Sequence, residues 1–261
     1  MEVREFENQW AIILGGSGAI GFATAAKLAS KGMNLCLVHR DMGEVKTVFN
    51  QAVQTLKDKA NVEIVTFNKD ATQQGVIEEV LEHFKTNDFK IAVFLHGLAR
   101  GNVKSLLEEE NSLQAEDFSI TVQAMGYSLH TWVKAIYNQQ LFADQAVVFG
   151  LTSEGNQKYI PGYTAVGASK VLLEKIVKDL AVELAPHGVR CNIIQAGVID
   201  SRALRMIPNA EKIIEIAQKR NPMGRLTSPE DVANAIYVFS KPESNWINGG
   251  HIHVDGGEHL N

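Results

Sequence analysis

The stretch Trp10-Ala11-Ile12-Ile13-Leu14-Gly15-Gly16-Ser17-Gly18-Ala19-Ile20-Gly21 decides the fold. Five apolar residues read as a buried strand, and the glycines after them read as a tight turn into a helix reaching about Ser30. Gly16, Gly18 and Gly21 have the spacing G-x-G-x-x-G between strand and helix. In that context glycines let the backbone approach a pyrophosphate, and the positive end of the helix dipole meets its charge. Gly15, Ser17, Gly18 and Ile20 are the candidate contacts, against the plainer reading of a tight turn with no ligand.

Outward from this unit, apolar runs alternate with amphipathic segments to the end of the chain. Further strands are expected at 35–38, 62–67, 91–95, 145–149, 190–194 and 250–254. Helices are expected at 43–58, 72–84, 118–139, from Tyr163 onward, and at 209–220 and 229–240. Regular alternation of this kind predicts an α/β protein: one doubly wound parallel sheet of about seven strands, a Rossmann fold, with helices on both faces. The whole chain, 1–261, reads as one NAD(P)-binding domain with a substrate-binding lid at about 200–225. Ligands on such sheets lie beyond the carboxyl ends of the strands, where the strand order reverses.

Composition narrows the function classes. With 45% hydrophobic residues the chain can bury a large core, and its net charge of −5 offers no basic stripe for nucleic acid or an anionic membrane. Cys36 and Cys191 fall in separate expected strands, which suits a reducing compartment better than a disulfide or metal pair. Residues 1–5 are charged, without the apolar core of a secretory signal, and no apolar run approaches a membrane span. The expectation is a cytoplasmic protein.

The second strand ends Val38-His39-Arg40-Asp41. An acid at this tip accepts from the ribose 2′-hydroxyl of NAD, whereas an arginine suits the 2′-phosphate of NADP. Arg40 therefore favours NADPH over NADH, although it also reads as a solvated loop charge and Asp41 lies one step beyond. Asp70 and Ala71, after the third strand, are placed to meet the adenine; Asp70 as an ordinary helix cap would look the same.

Chemistry is expected at Gly162-Tyr163-Thr164-Ala165-Val166-Gly167-Ala168-Ser169-Lys170. Seven residues separate Tyr163 from Lys170, so at about 100° per residue both fall near one helical face, roughly 10 Å apart along the axis. A phenol and an ammonium on one stripe suit a shared cofactor and substrate oxygen.

Taken together, these landmarks resemble the short-chain dehydrogenase/reductase family over essentially the whole chain. Gly249-Gly250-His251-Ile252-His253-Val254-Asp255-Gly256-Gly257 looks like that family's last strand, which favours a structural reading of His251 and His253 over metal ligation. Pro186-His187-Gly188-Val189-Arg190-Cys191-Asn192 looks like its approach to the sixth strand. Commoner members carry the active tyrosine one turn before the lysine, where this chain has Val166. The two-turn spacing of Tyr163 is similar to the enoyl-acyl-carrier-protein reductase branch. His96 after the fourth strand and Ala196 before Gly197 lean the same way. Tyr159 and the segment Ile199-Asp200-Ser201-Arg202-Ala203-Leu204 look like the NADPH-using bacterial type. Leu14, Ala19 and Gln123 depart from the family pattern, and Ser153 stands where commoner members have their catalytic serine.

The resemblance implies NADPH-dependent reduction of the C2–C3 double bond of an enoyl thioester in fatty-acid or related biosynthesis. It carries Tyr163, Lys170 and Ser153 over as catalytic residues. His96, Gly97, Lys170, Gly197, Ile199 and Ser201 join the cofactor contacts, and Tyr159, Tyr163, Ala203 and Met206 the substrate contacts. Lys170 is expected to hold the nicotinamide ribose and to draw the Tyr163 pKa down toward a useful range. The segment 203–216 reads either as an acyl-lining lid or as a plain surface helix. Arg202, Arg205, Lys212, Lys219 and Arg220 form a basic rim suited to an acidic acyl carrier protein. The family also implies a homotetramer or dimer built on the Phe118 and Tyr163 helices. Two other readings compete: a short-chain carbonyl reductase, and a non-catalytic NADP-binding sensor motivated by Leu14, Ala19 and Gln123.

Overall fold

The computed structural model describes residues 5–108 and 110–261, so residues 1–4, part of the charged start weighed above, lie outside it. Its strands are β1 Trp10–Leu14, β2 Asn34–His39, β3 Ile64–Asn68, β4 Ile91–His96, β5 Phe142–Ser153, β6 Arg190–Ala196 and β7 His251–Val254. They form one seven-stranded sheet in the order β3-β2-β1-β4-β5-β6-β7, with every pairing parallel. The order reverses between β1 and β4, which places the ligand crevice at the glycine turn.

Alternation along the strands divides the core. Ile12, Leu14, Cys36, Val38 and Phe94 face α3 (Gln74–Thr86), α5 (Ser128–Asn138) and α6 (Thr164–Glu183). Ile13, Leu35, Leu37, Val93 and Leu95 face α1 (Ala19–Ser30), α2 (Gly43–Ala60) and α9 (Pro229–Phe239). A fully buried side chain of this size contributes about 1.5–3 kcal/mol, so both faces carry much of the stability. Cys36 and Cys191 are both buried and unpaired. No helix among the described residues is long and apolar enough to cross a membrane.

Three local features differ from expectation. The single helix expected at 118–139 is α4 (Ala115–Val122), a π-helical turn at Gln123–Tyr127, and α5. The widened turn brings Gly126 against α6, where a Cβ would stand 2.9 Å from the Ser169 carbonyl oxygen. Second, β5 extends well beyond 145–149, and its register against β4 shifts between Ile91 and Val93. Third, Tyr163 is the N-cap of α6 with φ −90° and ψ 3°, and its carbonyl accepts the first helical bond from the Gly167 N–H at 2.8 Å, so the helix proper begins one residue later than expected. The segment expected to form a lid, 200–225, holds α7 (Arg202–Arg205) and α8 (Ala210–Arg220).

Candidate active site

The glycine turn is closed by backbone contacts. Gly15 and Gly16 both donate to the Val38 carbonyl, and Gly15 sits at φ +79°, where a Cβ would stand 2.5 Å from the Gly97 oxygen. At Gly21 a Cβ would run into the Gly15 carbonyl. The first N–H groups of α1 have no partner within the helix and lie beside the half-buried Ser17 and the exposed Gly18. A dinucleotide phosphate fits this cradle, since its bare backbone and helix end supply what an anion requires.

His96 ends β4, fully buried, and its Nε2 lies 2.7 Å from Ser128 Oγ. That hydroxyl spends its proton on the Ala124 carbonyl at 2.8 Å, so Nε2 is the donor and Nδ1 is left without a proton. Nδ1 is buried with no hydrogen-bond partner. Burial and then the Lys170 charge push the His96 pKa down to about 3, so the imidazole stays neutral.

At the adenosine end, Asp70 serves as a turn cap: Oδ1 accepts from the Thr72 N–H at 3.0 Å and its hydroxyl at 2.7 Å. Oδ2 accepts from Arg40 at 3.0 Å and from Arg100 at 2.5 Å. Burial works to raise the Asp70 pKa, but the Thr72 hydrogen bonds and the two arginines outweigh it and hold the carboxyl low. Arg100 was not singled out from sequence, although a cation just after β4 was the available signal. Asp41 turns away, to His39 Nδ1 at 2.7 Å. Ala71 is buried and accepts from Trp132 Nε1 at 2.8 Å.

At the other end, Tyr163 Oη lies 3.2 Å from Ser153 Oγ, so the structure brings these two expected residues together. Val166 packs with Ala124 and Met125 as plain core and has no chemistry to offer. Lys170 is buried and donates to the Leu151 carbonyl at 2.8 Å, and burial lowers its pKa to about 8 against the opposing pull of Glu174. The expected effect of Lys170 on the phenol is not found. Burial raises the Tyr163 pKa, and only the Ser153 hydrogen bond opposes it. The phenol keeps its proton at neutral pH, which suits a donor.

The loop after β6 carries Gly197 and the buried Ile199, and the Ser201 hydroxyl caps α7 by accepting from Leu204 N–H at 3.3 Å. Ala203, Met206 and Tyr159 are exposed, Met206 at 74% and Tyr159 at 89%, so they border an open face and line no closed slot. The basic rim is largely neutralised. Arg205 pairs with Asp200 and Glu211, Lys219 with Glu215, and Arg220 with Glu154 and Glu258.

A sequence model of the family described as enoyl-(acyl carrier protein) reductase matches residues 16–259. The chain belongs to this family. It is therefore an oxidoreductase-family member of the short-chain dehydrogenase/reductase type, with a nicotinamide-dinucleotide fold. Among relatives, an enoyl-[acyl-carrier-protein] reductase [NADH] of Bacillus subtilis is 28% identical over 191 residues, 73% of each chain. A 3-oxoacyl-[acyl-carrier-protein] reductase of Chlamydia trachomatis is 24% identical over 96% of this chain and 97% of its own. The solved enoyl-[acyl-carrier-protein] reductase (NADH) of Aquifex aeolicus superposes with a TM-score of 0.85 at 22% identity, covering 98% of both chains, and supports the fold. The names of the Bacillus subtilis and Chlamydia trachomatis relatives give different reactions, so the particular reaction rests on the chain's own site.

Proposed function

We propose that the protein reduces the C2–C3 double bond of an enoyl thioester with NADPH. The observation that carries this reading is the placement of Tyr163: a half-buried, protonated phenol two turns before Lys170, with inert Val166 at the one-turn position. A ketone develops charge on the oxygen bonded to the carbon that accepts hydride. An enoyl thioester accepts hydride at C3 and develops charge on the thioester oxygen, three bonds away. A displaced donor suits the second geometry.

Bound NADPH would supply the hydride. Gly15, Ser17, Gly18 and Ile20 would hold the pyrophosphate through backbone N–H groups, and His96 and Gly97 would border the cofactor at the end of β4. Lys170 would bind the nicotinamide ribose, Ile199 would anchor the carboxamide through its backbone, and Gly197 and Ser201 would complete that wall. Tyr163 would donate to the thioester oxygen, help typically worth about 10²–10⁴ in rate. Ser153 would keep the phenol aimed. Tyr159, Ala203 and Met206 would border the acyl entrance, with the thioester carried on an acyl carrier protein or coenzyme A.

NADPH is favoured because Arg40 stands half-exposed at the tip of β2 while the Asp41 carboxylate is committed to His39. The two aspartates nearest the tip, Asp41 and Asp70, both have partners already, so neither is free for a ribose 2′-hydroxyl. Exposed Tyr127 and Tyr137 near α5, with exposed Val171 and Val182 on α6, support association of these helices in a homotetramer or dimer.

One observation favours a second reading. The Ser153–Tyr163 hydroxyl pair is also a workable arrangement for protonating the oxygen of a ketone, so reduction of a 3-oxo thioester is the alternative. Rates with enoyl and 3-oxo thioesters, each with NADPH and NADH, separate the two. The proposal expects turnover with the enoyl substrate and NADPH; turnover confined to the 3-oxo substrate refutes it.

A further inference from the structure

Three charged side chains converge from segments far apart in the chain. Glu154 follows Ser153, Arg220 ends α8, and Glu258 lies in the short turn after β7. Arg220 Nη2 donates to Glu258 Oε1 at 2.7 Å and also to Glu154 Oε2. Glu258 is 2% exposed, and it spends its second oxygen on backbone: the Val198 N–H donates to Oε2 at 3.1 Å. Neighbouring Gly197 is packed so closely that a Cβ would stand 2.9 Å from that same oxygen. The C-terminal segment grips the end of α8 twice more. Asn261 Nδ2 donates to the Arg220 carbonyl at 3.0 Å, and Asn221 Nδ2 donates to the Asp255 carbonyl at 2.8 Å.

A carboxylate this deeply buried is costly unless it is paired and hydrogen-bonded, and Glu258 meets both conditions with two unlike partners. One oxygen faces a cation on α8, and the other faces an amide of the 197–199 loop. One guanidinium nitrogen, Nη2, serves both carboxylates at once, so a single cation neutralises the pair. We propose that Glu258 and Arg220 are positioning residues. Acting through Val198 N–H, they hold the 197–199 loop where it receives the nicotinamide end of the cofactor, and they tie that loop to α8 and to the segment carrying Ser153. This rests on the dinucleotide reading above and leaves open whether the substrate is an enoyl or a 3-oxo thioester.

Glu258→Gln keeps the shape and one acceptor oxygen but removes the charge facing Arg220. Wild type and variant are titrated with NADPH and, separately, with adenosine 2′,5′-bisphosphate, which has the adenosine end and no nicotinamide; NADH and ADP replace them if the wild type prefers NADH. The Kd for the full cofactor is expected to rise about tenfold with that for the fragment unchanged. Arg220→Gln, which removes the cation and keeps a polar stem, is expected to show the same selective loss and is read if Glu258→Gln does not melt cooperatively. Parallel weakening of both ligands would mark general loosening of the fold and overturn the proposal. So would an unchanged Kd for the full cofactor. A wild type that binds neither dinucleotide contradicts the dinucleotide reading and this inference with it.

Discussion

The hydroxyl oxygens of Ser153 and Tyr163 lie 3.2 Å apart, although one ends β5 and the other caps α6. Each element holds its residue rigidly, so the pair is set by the packing of helix on sheet. Replacing the phenol by Tyr163→Phe should lower kcat by about 10²–10⁴ and leave the Kd for NADPH unchanged. Steady-state rates beside a fluorescence titration read both quantities. Ser153→Ala removes only the aiming hydrogen bond, of the order of 1 kcal/mol, and should slow turnover by roughly fivefold.

Lys170 gives opposite pH signs for activity and stability. Its folded pKa of about 8 lies below the ordinary value of 10.5 because burial disfavours the ammonium. The cation is present below about 8, so kcat/KM should fall as pH rises through that value. For stability, the unfolded chain holds the extra proton between about 8 and 10.5, so this group's contribution rises with pH across that window. Thermal melts should therefore show Lys170→Met gaining most, relative to wild type, below pH of about 8. A gain that grew toward higher pH would contradict the assignment.

Glycine substitutions should divide sharply by place. Gly21→Ala drives a methyl into the Gly15 carbonyl and should cost about 1–3 kcal/mol together with cofactor binding. Gly75→Ala, in α3 with open space around its Cβ position, should stabilise by about 0.4–1 kcal/mol. Denaturant melts of the two variants check the contrast.

Arg40→Ser should raise the Kd for NADPH by about tenfold or more while leaving that for NADH unchanged, since a charge-assisted bond to the 2′-phosphate is lost. Equal weakening of both would assign Arg40 to holding Asp70 in place. Isothermal titration with each dinucleotide decides.

Much of this architecture is legible in the sequence because apolar runs such as Ile12-Ile13-Leu14 and Val93-Phe94-Leu95 are buried on both faces of the sheet and leave unbroken hydrophobic signals. The π turn at Gln123–Tyr127 is not legible, since what accompanies it is a tertiary contact, the close approach of Gly126 to Ser169 on another helix. That Tyr163 is the N-cap of α6 and not its first helical residue is not legible either, because residue spacing carries no information about where the first turn begins. The partial neutralisation of the basic rim is hidden for a related reason. Arg220 finds Glu258 38 positions away, a pairing that depends on the closed fold. Sequence located the residues; the partners that set their charge and aim come from tertiary contacts.

The most direct test of the account offers the protein an equimolar mixture of an enoyl and a 3-oxo thioester with NADPH deuterated at the transferring position, and reads the products by mass spectrometry. The account predicts deuterium in the saturated thioester, with the 3-oxo substrate left unconsumed. Deuterium in the 3-hydroxy thioester, with the enoyl substrate untouched, would contradict it and assign the Ser153–Tyr163 pair to carbonyl reduction.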